Sequence, residues 1–215
     1  MNQLPQKPIN LNQLSTFETE LVLTPMNDYL FSWQKRTLDI AFTLLILPAV
    51  LPLLIFCMFL VIITMGFPVI FSQKRIGLNG RVFVIYKLRT LKRKSNNVEG
   101  ITHSNGDITP LGKFLRIFRF DELPQIWNIL RGEMSWVGPR PEVPYYVEKY
   151  NNLNPNFNGR LSALPGITGL AQLNNPNATP NDNLDKLEHD LSYISKANMN
   201  MDMKILFKTF FLLWK

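Results

Sequence analysis

Residues 40–73 read IAFTLLILPAVLPLLIFCMFLVIITMGFPVIFSQ, 34 positions without an Asp, Glu, Lys, Arg or His. Lys35, Arg36 and Asp39 stand before this stretch, and Lys74 and Arg75 follow it. About 20 apolar residues in a helix cross a hydrocarbon core of ~30 Å, so the length permits a span. Two features speak against a plain one. Cations at both ends give the positive-inside rule no direction. Pro48 and Pro52 each remove a backbone donor and press on the preceding turn, at about 3 kcal/mol or more inside a helix. Lipid cannot satisfy the carbonyls so freed. A helix that enters a bilayer, bends near the prolines and leaves on the side it entered reconciles them with the flanking charge. A kinked transmembrane helix accounts for them as well, and on these residues the two readings stand level.

The rest of the 215-residue chain is polar enough to bring the hydrophobic share down to 46%, so one domain plus a membrane element is the expected organisation. A net charge of +7 favours anionic partners such as headgroups or nucleotide phosphates. Nucleic acid is disfavoured, because no helix-turn-helix, zinc-finger or aromatic RNA-binding pattern is present. Cys57 is the only cysteine, which excludes an internal disulfide and a Cys-based metal site. Its place inside the apolar block suits a small packed hydrophobe. The polar start and the late, long apolar block do not read as a secretory signal. The folded part is therefore expected to be cytoplasmic and membrane-attached.

Upstream, residues 1–34 read as a flexible extension rich in Asn, Gln, Pro and Thr, with a short helix at 15–23. Phe31 and Trp33 ahead of Lys35 and Arg36 suit a membrane-water interface. Downstream, 69–75 and 81–86 flank Asn79-Gly80, a two-residue turn signal, and form a hairpin. Lys87, Arg89, Lys92, Arg93 and Lys94 are a cation cluster fit either for solvent or for phosphate. A polar loop follows, in which His103 is isolated from any ligand partner. Thr109-Pro110 opens a helix whose apolar face is Leu111, Phe114, Leu115 and Phe118. Lys113, Arg116 and Arg119 lie off that face, so this helix either lies on a membrane or packs on a core.

Pro124 should then break the chain and start a second helix over 124–130, leaving Asp121 and Glu122 just before a helix N-terminus that favours ionised carboxylate. An acidic cap is the plainer reading of that pair. Arg140 stands between two prolines, a preset backbone suited to holding an anion. Helices are expected at 142–150, at 184–197 with His189 and Asp190 in it, and at 204–215, where KILFKTFFLLWK is amphipathic and too short to span. The segment PGITGLAQ, 165–172, has the small residues that close backbone approach requires, without the Gly-Lys-Ser/Thr end of a P-loop.

Taken together, these segments resemble the bacterial sugar transferase family, the monotopic polyprenol-phosphate phosphoglycosyl transferases. The resemblance covers residues 35–215. It begins at Lys35-Arg36 and Asp39 and continues through GFPVIFSQ (66–73), RIGLNG (75–80) and YKLRT (86–90). Its core is Leu115-Arg116 followed by DELPQIWNILRGEMSWVGPRP (121–141). It closes with PGITGLAQ, His189-Asp190 and DMKIL (202–206). The resemblance implies a small α/β, mostly helical cytoplasmic domain, 73–215, with interfacial amphipathic helices and a short β-hairpin. It implies that 35–72 is a re-entrant membrane helix broken at Pro52, with Pro48 beside it, in the bacterial inner membrane.

It further implies transfer of a sugar 1-phosphate from a UDP-sugar to a polyprenol phosphate, with UMP released. Asp121 would be the nucleophile and would carry a covalent phosphosugar. Glu122 would support the metal or the incoming phosphate, with Mg²⁺ on Asp121 and Glu122. Arg116, Arg140, Lys87, Arg89 and Gln125 would bind substrate and phosphate. An inactive relative acting as a membrane scaffold is the alternative, and a homodimer is left open. Three positions depart from the family pattern. Leu51 stands where Ser usually precedes the proline, and Arg119-Phe120 stand where Ser-Leu is common. Asn174-Asn175-Pro176 replace a Gly-Arg after Gln172, so the role of that Arg is either missing or taken over by another cation, such as Arg160.

Overall fold

A 33-residue helix, α1 (Trp33–Met65), dominates the computed structural model, which describes residues 27–92, 107–176 and 182–212. The expected helix at 15–23, the loop with His103, and Arg93 and Lys94 lie outside the described residues. Ser32 caps α1, its hydroxyl accepting from the Lys35 amide at 3.2 Å, and Gly66 ends it with φ +66°. By length and composition α1 can cross a membrane, and only 11% of its most apolar window is buried inside the domain.

The expected break at Pro52 and Pro48 is not an interruption of the helix, which runs through both. The prolines stand one turn apart, so the carbonyls they leave without a donor, those of Leu44 and Pro48, lie close to one side. A loss confined to one side lets a helix bend while its residues keep helical dihedrals.

Both ends of α1 are fastened to the same domain. Lys35 and Asp39 at one end and Cys57 and Val61 at the other are buried, whereas Leu44, Leu45 and Leu51 between them are exposed. The extension expected to reach residue 34 therefore ends sooner. Asn27 donates to the Ser195 and Ala197 carbonyls, Asp28–Phe31 forms a 3₁₀ turn, and Leu30 joins a core cluster with Val137, Tyr193 and Ile194. Lys35 and Asp39 are not flanking charges either. The Lys35 ammonium donates to Asp202 Oδ2 at 2.6 Å and to the Val137 carbonyl at 3.2 Å. Tyr29 and Tyr193 each donate a hydroxyl to Asp202 at 2.8 Å. Asp39 accepts from the Ser135 hydroxyl at 2.9 Å and the Trp136 amide at 3.1 Å. Arg36 donates to the carbonyls of Ile129 and Leu130.

Breaking a buried pair leaves an uncompensated charge and costs about 3–5 kcal/mol. Asp202→Ala should lose that much in denaturant unfolding, and a loss below about 1 kcal/mol would contradict the staple.

After α1 come β1 (Ile70–Ile76) and β2 (Val82–Leu88), paired antiparallel from Ile70↔Leu88 to Ile76↔Val82. Asn79 and Gly80 supply the two successive left-handed residues of the turn. Thr109 caps α2 (Pro110–Ile117) through its hydroxyl on the Gly112 amide, and Pro110 occupies the first turn. The expected apolar face of α2 is divided. Leu115 is buried against Cys57, Val61 and Leu88, while Phe114 and Phe118 are exposed. A 3₁₀ stretch, Phe120–Gln125, leads into α3 (Ile126–Leu130).

A second pair, β3 (Ser135–Val137) with β4 (Gly166–Thr168), is parallel. Here the small residues of PGITGLAQ serve close approach. A Cβ on Gly138 would sit 2.2 Å from the Leu164 carbonyl oxygen, and one on Gly169 would sit 2.3 Å from that of Gly138. Gly138→Ala should therefore lower stability by about 2 kcal/mol or more in the same unfolding experiment. An unchanged midpoint would contradict this packing.

Helices α4 (Pro144–Leu153), α5 (Leu170–Asn174), α6 (Asn183–Lys196) and α7 (Met199–Leu212) complete the described fold, which is small, mostly helical α/β. α7 starts before the expected residue 204. It buries Asp202 and Ile205 and leaves Met203, Phe207, Phe210 and Phe211 exposed.

Candidate active site

Arg119 adopts the left-handed conformation, φ +55°, and turns the chain from α2 into the 3₁₀ stretch. A non-glycine residue there stores about 1–3 kcal/mol of strain, which persists only where surroundings enforce it. Pro124 does not break the element. It lies inside the 3₁₀ stretch, so Asp121 and Glu122 sit in the first turn rather than before it. Both carboxylates are buried, at 8% and 7% exposure.

β2 packs against this stretch and brings Lys87 to Glu122. The Lys87 ammonium and the Arg140 guanidinium donate to the same oxygen, Glu122 Oε1, at 2.6 and 2.8 Å. The second oxygen, Oε2, is buried without a partner. Burial alone would raise the Glu122 carboxyl, but Arg140 and Lys87 outweigh it and hold it well below the usual carboxylate range. Asp121 goes the other way. Burial first, and then the Glu122 charge, push it up to about 6 against the pull of Lys87, Arg116 and Arg140. Arg140 is itself held more firmly protonated by Glu122. Burial lowers Lys87, and Glu122 opposes that shift. Adjacent carboxylates with such divergent protonation are suited to different roles.

Of the seven site residues expected from sequence, Lys87, Arg140 and Glu122 meet directly, and Asp121 stands next to Glu122 in the chain. Arg116 donates its Nε to Thr90 Oγ1 at 3.0 Å and lies near enough to bias Asp121. Gln125 is buried one turn on. Arg89 does not join them. Its Nη2 donates to the Met65 and Gly66 carbonyls, where it closes the negative end of α1.

Sequence reading missed the frame behind Arg140. Arg160 donates to the Arg140 carbonyl at 2.9 Å and to Asp190 Oδ2 at 2.8 Å, and its Nη1 lies 3.9 Å from Glu142. Arg75 approaches Glu142 to 3.9 Å from the other side and donates to the Pro141 carbonyl. Buried and engaged in this way, Arg160 holds the backbone at Arg140 in place. The prolines around Arg140 were the one available signal of this frame.

No group of three or more His, Cys, Asp or Glu is gathered to hold a metal among the described residues. Mg²⁺ needs less, keeping several waters and taking one or two carboxylates plus substrate phosphates. Asp121 and the unpartnered Oε2 of Glu122 fit that role, with a diphosphate completing the ligand set.

The family model of the bacterial sugar transferases matches residues 30–215. The chain belongs to the bacterial sugar transferase family. A UDP-glucose:undecaprenyl-phosphate glucose-1-phosphate transferase of Caulobacter vibrioides is 32% identical to this sugar transferase over 214 residues, 97% of the chain and 80% of that protein. A protein of the same description from Klebsiella pneumoniae is 40% identical over 183 residues, 82% of this chain and 39% of its own length. The UDP-N-acetylgalactosamine-undecaprenyl-phosphate N-acetylgalactosaminephosphotransferase of Aeromonas hydrophila is 36% identical over 183 residues, 84% of this chain and 43% of that protein. The sugar transferase chain thus spans about two fifths of the length of the latter two.

Proposed function

We propose that this sugar transferase moves a sugar 1-phosphate from a UDP-sugar to undecaprenyl phosphate, releasing UMP and forming a polyprenyl diphosphate sugar. The observation that carries the reading is the buried Asp121–Glu122 pair, with Glu122 Oε1 held between Lys87 and Arg140. Glu122 stays ionised and fixes Lys87 and Arg140, so two cations face an incoming diphosphate without having to be ordered at the moment of reaction. Asp121 titrates near 6 and is ionised at neutral pH, as a nucleophile must be. Its carboxylate oxygen attacks the β-phosphorus and the bond to the UMP oxygen breaks. Lipid phosphate then takes the phosphosugar from Asp121. Two successive displacements suit donors and acceptors from different phases, which need not meet at once. Mg²⁺, held by Asp121 and Glu122 with the diphosphate, would neutralise charge on the phosphates.

Membrane seating follows from α1. Anchorage of both its ends on one domain, its exposed middle and its one-sided proline pair support a helix that dips into one leaflet and returns. The domain then faces the cytoplasm at the inner membrane, where a UDP-sugar is available. Relatives similar to a comparable degree are named for N-acetylgalactosamine and for glucose, so similarity leaves the sugar open. The test is UMP release from a panel of UDP-hexoses and UDP-N-acetylhexosamines with undecaprenyl phosphate and Mg²⁺. One donor should give lipid-dependent release. Silence from every donor with folded protein would favour a scaffold instead.

The same assay carries a pH prediction. Turnover should rise as pH increases through about 6, as Asp121 ionises, and level off above it. A rate that falls over that range would contradict an ionised nucleophile.

A further inference from the structure

Residues 87–90, where β2 ends, each hold a different part of the molecule. Lys87 donates to Glu122 Oε1 at 2.6 Å. Leu88 is buried in a cluster with Cys57 and Val61 of α1 and Leu115 of α2, against which Phe120 also packs. Arg89 donates Nη2 to the carbonyls of Met65 and Gly66 at the end of α1, the second at 2.8 Å. The Thr90 hydroxyl accepts from Arg116 Nε at 3.0 Å. The backbone adds to the link, with the Arg89 amide on the Val69 carbonyl at 2.9 Å and the Thr109 amide on the Thr90 carbonyl at 3.1 Å. Arg89 is 9% exposed, its Nε and Nη1 are buried without a partner, and no carboxylate pairs with it among the described residues. The carbonyl end of a helix carries only about half a negative charge, an incomplete match for a buried guanidinium. A neutral side chain would pack there at lower cost, so the charge points to a task beyond packing.

We propose that Arg89 is a positioning residue of the transferase, locking the end of α1 to the strand end 87–90 and thereby setting Lys87 and Arg116 beside Asp121. This rests on the transferase reading above and adds that the return of α1 is built into the wall of the site. Lys87 and Arg89 lie two residues apart in extended chain, so their side chains leave by one face and a shift of one carries the other. Thr90 passes the same shift to Arg116. Four charged groups act on Asp121: Glu122 from its own stretch, Lys87 from β2, Arg116 from α2 and Arg140 from the proline-flanked loop. Only Lys87 and Arg116 hang on the strand end, because Arg160 holds the backbone at Arg140. Releasing Arg89 therefore loosens two of the three cations and leaves Glu122 ionised on Arg140. Asp121 then loses part of the pull that lowers its carboxyl, and it ionises at higher pH.

The test is the pH dependence of UMP release by Arg89→Leu protein in nanodiscs, with UDP-sugar donor, undecaprenyl phosphate and Mg²⁺. The acid limb should move up by about 0.5 or more on the pH scale. Above the limb, kcat/KM for the donor should fall by about 10-fold or more. Arg89→Lys keeps a cation at the carbonyl end of α1 and should bring the limb back toward its wild-type position. Thr90→Val removes only the hydroxyl under Arg116 and should move the limb in the same direction as Arg89→Leu. It keeps the inference testable should Arg89→Leu not fold. Asp202→Ala loosens the opposite end of α1 and should leave the limb in place. A purely structural cap lowers the amount of folded enzyme without moving its titration. An unmoved limb in both Arg89→Leu and Thr90→Val would therefore overturn the inference, as would an equal move in Asp202→Ala. Wild-type protein that releases no UMP from any donor would remove the transferase reading and this inference with it, whereas an active wild type with unmoved limbs in the variants removes the inference alone.

Discussion

Asp121→Asn is expected to abolish turnover and to make the protein more stable. Asparagine keeps the shape of the side chain, which is 8% exposed, but its amide cannot attack phosphorus and be regenerated. Stability follows from the protonation of the residue it replaces. The Asp121 carboxyl is raised from 3.8 to about 6 by burial and by Glu122, so the folded state disfavours its charge. A group raised in this way contributes stability below its unfolded value and loses it as pH rises through the folded one. At neutral pH the ionised carboxylate therefore costs about 3 kcal/mol at most. Asparagine removes that cost, so the gain should be present at pH 7.5 and vanish near pH 4. A variant that is inactive because it is unfolded would show the opposite change at pH 7.5, and full activity would remove Asp121 as the nucleophile.

Glu122→Gln should be damaging in a different way. It leaves Lys87 and Arg140, 17% and 36% exposed, beside a neutral amide without their shared anion. The cost should be about 1–3 kcal/mol of stability. Loss of the preorganised cations should lower turnover by about 100-fold or more. The informative readout is the acid limb of the residual activity. Glu122 is the second cause, after burial, of the raised Asp121 carboxyl, so removing its charge should move that limb below pH 6. An unmoved limb would mean that the limb does not report on Asp121, or that the two carboxylates are not coupled.

What could be seen in the sequence was local. The Asn79-Gly80 turn, the Thr109-Pro110 helix start and the acidic pair each carry their signal within a few residues, and the structure uses all three. What could not be seen is assembled over distance. Lys35 before an apolar helix has the form of a membrane flank, and nothing near it announces Asp202 in α7. The frame of Arg140 draws Arg75, Glu142, Arg160 and Asp190 from four separate stretches of the chain, and no one of them is unusual in its own segment. Strands of three residues, such as β3 and β4, are too short to show alternation, and their parallel pairing lies 31 positions apart. Pro124 misled because a 3₁₀ stretch already runs from Phe120, so the acidic pair lies in its first turn and not ahead of a helix. Pro48 and Pro52 lie inside a continuous helix, since donors lost on one side permit a bend without a gap.

The central claim is that Asp121 carries the phosphosugar between two half-reactions. The direct measurement is the intact and peptide mass of the protein after incubation with its UDP-sugar donor and Mg²⁺, in the absence of any lipid acceptor. The account predicts one added sugar phosphate per chain, located on the peptide containing Asp121. Release of an equal amount of UMP should accompany it, and undecaprenyl phosphate should discharge the adduct. UMP that appears only when lipid phosphate is present, with no adduct on Asp121 at any time, would contradict it.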